Sequence, residues 1–95
     1  MALGINVIYN MKPGKREEFL AAAAELNLRE AVRGENGCLQ YDYFCAAADP
    51  DQLLLVEKWS DAKAQEIHLT QPHMAHMPEL KERFVRETVI EKYEI

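Results

Sequence analysis

Four stretches of alternating side chains, interrupted twice by residues at helical spacing, constrain this chain more than any other feature. Residues 3–11 set Ile5, Val7 and Tyr9 on one side and Asn6, Ile8 and Asn10 on the other, which is strand periodicity. Residues 38–46 alternate Leu39, Tyr41, Tyr43 and Cys45 against Gln40, Asp42 and Phe44. Asp49-Pro50-Asp51 is turn chemistry, so residues 52–59 are expected to return as the second strand of a hairpin. Residues 87–95 alternate Val89, Glu91, Tyr93 and Ile95 against Thr88, Ile90, Lys92 and Glu94, a fourth strand.

The interruptions read as helices. After the stop at Lys12-Pro13-Gly14, residues 15–32 are strong helix formers, with Phe19, Ala22, Ala23 and Leu26 opposite Lys15, Arg16, Glu18 and Glu25. Gly34 and Gly37 flank its exit, where a left-handed cap costs little. Ser60 or Asp61 can cap a short helix over residues 62–69, and Pro72 opens a second piece carrying Met74, Met77, Leu80 and Phe84, with a break or kink expected at Pro78. The order β-α-β-β-α-β predicts an α+β fold in which four antiparallel strands carry both helices on one face.

Such a sheet leaves its second face open. An apolar surface of that size calls for a partner, and a homodimer packing through the open sheet faces is the economical solution for 95 residues in a single domain, 1–95. A net charge of −5 argues against nucleic acid, which demands a basic face. No run is long enough to span a membrane, and the Met1-Ala2-Leu3 start lacks the basic and apolar regions of a secretory leader, so a cytoplasmic location is expected. Cys38 and Cys45 lie seven residues apart in one strand, roughly 23 Å at extended spacing, too far to bridge, and are read as buried, reduced thiols.

The residues with chemistry cluster late in the chain. His68 falls on the apolar side of its helix, where a neutral imidazole is either a hydrogen-bonded core residue or a general base over an apolar pocket. Trp59 directly precedes that helix and serves either as a packing anchor or as a stacking surface for an aromatic substrate. Glu57 shares the strand face of Trp59 and can orient a histidine or pair with Arg or Lys. Asn6 interrupts the first strand, where its amide could steady an oxyanion or simply face solvent. Tyr41 and Tyr43 share a face and could donate to a bound ring or pack in a dimer interface. His73 and His76 could chelate across a helical turn, but no third ligand stands at a telling spacing, so no metal is expected.

No phosphate loop, nucleophile elbow, zinc ligand set or flavin fingerprint appears. Any chemistry must then lean on the substrate. A hydroquinone meets that demand, since losing one proton yields an anion able to react with dioxygen.

The run Glu57-Lys58-Trp59, followed by His68-Leu69-Thr70-Gln71-Pro72-His73-Met74, resembles the antibiotic biosynthesis monooxygenase (ABM) family, including small quinol monooxygenases. Val7 through Lys12-Pro13-Gly14-Lys15 with Phe19, and Glu35-Asn36-Gly37-Cys38 leading to Tyr41, extend the resemblance along nearly the whole chain. It implies a ferredoxin-like subunit that dimerises into an α/β barrel and oxidises quinol-like substrates with dioxygen, with no metal or organic cofactor. His68 would match the family's helix histidine, Trp59 its strand tryptophan, and Asn6 the first-strand asparagine of some members. On this reading His68 and Asn6 are catalytic, while Trp59, Tyr41, Glu57 and His73 contact a small aromatic substrate. Other members degrade haem, isomerise a phosphorylated sugar or have no known activity. A non-catalytic dimeric ligand-binding module and an isomerase of a small carbonyl compound are therefore the alternatives.

Overall fold

A computed structural model describes residues Met1 to Ile95. The strands are β1 (Leu3–Met11), β2 (Cys38–Cys45), β3 (Gln52–Trp59) and β4 (Val85–Glu94). Between them lie α1 (Arg16–Glu25), α2 (Leu28–Arg33), α3 (Ala62–His68), a 3₁₀ helix (Pro72–His76) and α4 (Met77–Phe84). The strands form one antiparallel sheet in the order β2-β3-β1-β4. Both β1 and β2 run antiparallel to the β3 strand between them, which makes the first half a split β-α-β unit and the whole a ferredoxin-like fold.

Alternation decides which side chains face the helices. Ile5, Val7, Tyr9 and Met11 of β1 and Leu53, Leu55, Glu57 and Trp59 of β3 are all buried on that side. Tyr41 lies opposite Glu57 and Tyr43 opposite Leu55, so both tyrosines point to the helices and away from the open sheet face. The expectation that they could pack in a sheet-to-sheet dimer interface is thereby corrected. Each alternates with Gln40, Asp42 or Phe44, and those residues take the open side. The core joins the strand residues to Phe19, Ala23, Leu28, Val32, Met77, Leu80 and Phe84 from the helices.

The long first helix expected over residues 15–32 is two helices. Asn27 adopts φ 51° and ψ 36°, left-handed values that its short polar side chain tolerates, and this breaks the helical path after α1. The change of direction buries Leu28 and Val32 and leaves Leu26 exposed, although Leu26 continues the apolar spacing of α1. Gly34 caps α2 at an ordinary φ of −78°, and the left-handed glycine is Gly37, at +87°, on the way into β2. The piece that opens at Pro72 divides just before Pro78, into the 3₁₀ helix ending at His76 and α4 starting at Met77, and Pro78 occupies the first turn of α4, where its missing N–H costs nothing. β4 starts at Val85, directly after α4 and two residues before its alternation becomes regular. Cys45 is exposed and only Cys38 is half-buried, in contrast to the two buried thiols expected. No helix is long and apolar enough to cross a membrane.

Candidate active site

The cavity that collects most of the chemistry lies between the helix side of the sheet and the segment from α3 to α4. It is an open cleft of about 190 Å³. Ile5, Val7 and Tyr9 of β1 form its floor, and Leu69, Met74 and Met77 form its apolar roof. The polar groups are Tyr41, Glu57, Gln65, His68, Lys81 and Lys92. An engineered apolar cavity of about 150 Å³ holds a benzene ring. The present volume therefore suits a single-ring compound.

Asp61 aims His68 into this space. Its carboxylate accepts from the backbone N–H of Ala64 at 2.8 Å and caps α3, whose last residue is His68. The imidazole is only 1% exposed, and the Trp59 indole packs against it with centroids 4.6 Å apart and an interplanar angle of 35°. Tyr41 meets it edge-on at 5.9 Å. Nδ1 lies 2.8 Å from Glu35 Oε2. A carboxylate offers only lone pairs, so the ring must donate from Nδ1, and in the neutral ring Nε2 then carries the free lone pair. That second nitrogen is 4.0 Å from Glu57 Oε1.

Glu57 also accepts from Trp59 Nε1 at 3.1 Å, within reach because residues two apart on a strand share a face. Burial pushes its carboxyl above the ordinary range, opposed by the indole hydrogen bond and the neighbouring His68 and Lys92. Tyr9 and Tyr41 are raised further still, chiefly by desolvation, so both phenols stay neutral and able to donate.

Of the residues expected from sequence, His68, Glu57 and Tyr41 line one cavity. Trp59 is completely buried behind the His68 ring and is not among the cavity's lining residues, so it braces the imidazole from the rear. Asn6 is on the opposite face of the sheet, where its carbonyl oxygen lies 3.5 Å from the Tyr93 hydroxyl. His73 lies behind the cavity, its Nε2 2.7 Å from the same Glu35 oxygen that His68 contacts. Glu35 is the residue that sequence reasoning assigned no role. It lies 33 and 38 positions from its two histidine partners in a polar loop, and its only signal was a place in the Glu35-Asn36-Gly37-Cys38 run.

The sequence pattern described as antibiotic biosynthesis monooxygenase matches residues 2–80. A Bacillus subtilis (strain 168) protein, "Putative monooxygenase YcnE", is 38% identical over 63 residues, a span of 66% of this chain and 64% of that protein's length. Among solved structures, protein SO0527 of Shewanella oneidensis superposes with a TM-score of 0.86 at 26% identity, over 97% of this chain and 88% of its own. A crystal structure described as an antibiotic biosynthesis monooxygenase superposes with a TM-score of 0.84 at 26% identity, over 98% and 97%.

Proposed function

The chain belongs to the antibiotic biosynthesis monooxygenase family, and on that premise we propose that it oxidises a single-ring phenol or quinol with dioxygen, without a metal or organic cofactor. The observation that carries the proposal is His68. One nitrogen is fixed by Glu35 while the other faces a cavity large enough for one aromatic ring. Nε2 takes a proton from a ring hydroxyl, and Glu35 holds the imidazole in the tautomer that can receive it. Lys81 and Lys92, both lining the cavity, favour the phenolate that results. Tyr41 donates to the substrate oxygen, and Glu57 settles the imidazolium from 4.0 Å.

The substrate supplies all the electrons. A quinol gains one oxygen atom on its ring and leaves as a hydroxylated quinone, while the other atom of dioxygen leaves as water. Leu69, Met74 and Met77 give the anion an apolar wall to meet oxygen against. Trp59 and Asn6 do not touch the substrate in this scheme. The active unit is a homodimer joined through the open sheet face, where Ile8, Leu54, Val56, Phe44, Val89 and Tyr93 offer an apolar surface.

Oxygen uptake with a panel of hydroquinones tests the assignment. His68→Ala should lower the rate by about 10²- to 10⁴-fold, the usual contribution of a positioned base. Equal rates in a folded variant overturn the role of His68. Turnover that persists without air points instead to proton-transfer isomerisation by the same base.

A further inference from the structure

Oxygen chemistry leaves one arrangement unexplained. Glu35 accepts from two histidines at once, and His73, one of the pair, does not line the cavity. Glu35, His68 and His73 each offer one ligand atom, and these three atoms lie within 4.8 Å of one another. From these contacts we infer that Glu35, His68 and His73 form a binding site for a divalent transition-metal cation of the zinc type, one that holds His68 out of base chemistry when occupied.

Donor chemistry supports this choice of ligand. Two imidazoles and one carboxylate, with room for water, suit zinc and its borderline neighbours better than magnesium or calcium, which take oxygen donors. Donor atoms around a tetrahedral zinc stand ~3.3 Å apart, given bonds of about 2.0–2.1 Å. The two contacts of 2.7 and 2.8 Å need to open by about half an ångström each. The three ligands come from different elements: Glu35 from the loop before β2, His68 from the end of α3 and His73 from the 3₁₀ helix. The Glu35 and His68 side chains are about nine-tenths buried or more, so the set is held by its surroundings.

A second cavity of about 370 Å³, lined by Asn36, Ser60, Asp61, Lys63 and Gln71 among others, has Glu35 in its wall. His73 is itself 22% exposed.

Occupation changes what His68 can do, a consequence that rests on the function proposed above. Coordination takes the Nδ1 lone pair, so the ring's single proton moves to Nε2, the nitrogen facing the cavity. Nε2 then donates and cannot accept. The same residue is therefore either an oriented base or a metal ligand, and the cation acts as an off-switch.

Titration calorimetry of the full chain with zinc chloride tests the site without relying on turnover. Wild type should bind one zinc per chain and melt at a higher temperature in its presence. His73→Ala, a change at a partly exposed position, and Glu35→Gln should each weaken binding at least ~10-fold. His76→Ala should bind as wild type does, because His76 is outside the set. Absence of one-to-one binding in wild type overturns the site, as does unchanged affinity in His73→Ala. An equal loss in His76→Ala also overturns it, because the cation would then occupy a surface pair three residues apart. Zinc bound at the site without any fall in hydroquinone-dependent oxygen uptake by the active wild type overturns the switch.

Discussion

Replacing Gly37 by alanine should damage this protein far more than the same change at Gly14, and the structure says by how much. Both glycines have positive φ, +87° and +74°, so an alanine at either pays the left-handed penalty of about 1–2 kcal/mol. Their surroundings differ. A Cβ on Gly14 meets nothing within 4 Å, whereas one on Gly37 lands 2.6 Å from Ala64 Cβ and 2.7 Å from Ser60 Oγ. Ala64 belongs to α3, and the Gly37 carbonyl accepts from Ser60 N–H at 2.8 Å, so neither neighbour can yield freely. Overpacking of this kind adds about 1–3 kcal/mol. The sum is about 2–5 kcal/mol for Gly37→Ala against about 1–2 kcal/mol for Gly14→Ala. At roughly 4–8 °C per kcal/mol for a domain of this size, the Gly37 variant should melt on the order of 10 °C below the Gly14 variant. Thermal unfolding followed by circular dichroism measures both. Ala64 is one helical turn before His68, so the displaced α3 should also loosen the contact between His68 and Glu35. Midpoints within about 3 °C of each other would refute the reasoning, because the close approach at Gly37 would then count for nothing.

Two further outcomes follow from the same geometry. Burial raises Glu57 above the ordinary carboxylate value, so the unfolded chain releases that proton first. Wild type should lose stability as pH climbs from about 4 through the raised Glu57 value, and Glu57→Gln should lack that loss while still accepting from Trp59. Parallel pH-dependence of the two melting curves would show that Glu57 is not the group responsible. Leu54→Lys places a charge mid-strand on the open sheet face without touching the core; if wild type sediments as the proposed dimer, the variant should sediment as a monomer. A variant that still sediments as a dimer assigns the interface elsewhere.

Much of the architecture could be read along the chain, because strand and helix periods are local properties of a sequence. The alternation in β1 separated Ile5, Val7 and Tyr9 from Asn6 and Asn10, and Glu57 was read as sharing the face of Trp59; all five of Ile5, Val7, Tyr9, Glu57 and Trp59 are on the buried side of the sheet. The apolar run from Leu53 to Val56 carries no period, and only the fold buries Leu53 and Leu55 while leaving Leu54 and Val56 on the open face. The β1 alternation also placed Asn6 on the side opposite Ile5 and Val7, which is why Asn6 faces away from His68. The capping role of Asp61 and the shared face of Glu57 and Trp59 are short-range for the same reason.

The remainder depended on contacts between distant segments. One left-handed residue, Asn27, in a run of good helix formers redirected the chain, and composition gives no warning of a single backbone angle. Whether Trp59 would face a cavity or brace a ring was decided by α3 packing over it, with His68 filling the space in front. Glu35 shows the division most clearly. By itself it is one more acidic residue in a polar loop of an acidic chain. Folding brings α3 and the 3₁₀ helix against that loop, and Glu35 then holds two histidines through one oxygen. Sequence alone determined which residues of a strand share a face, because that follows from period, while the packing of the helices decided which face is the core, as Tyr41 and Tyr43 show. Only the tertiary structure decided which carboxylate governs His68, because a hydrogen bond depends on proximity in space and not on position in the chain.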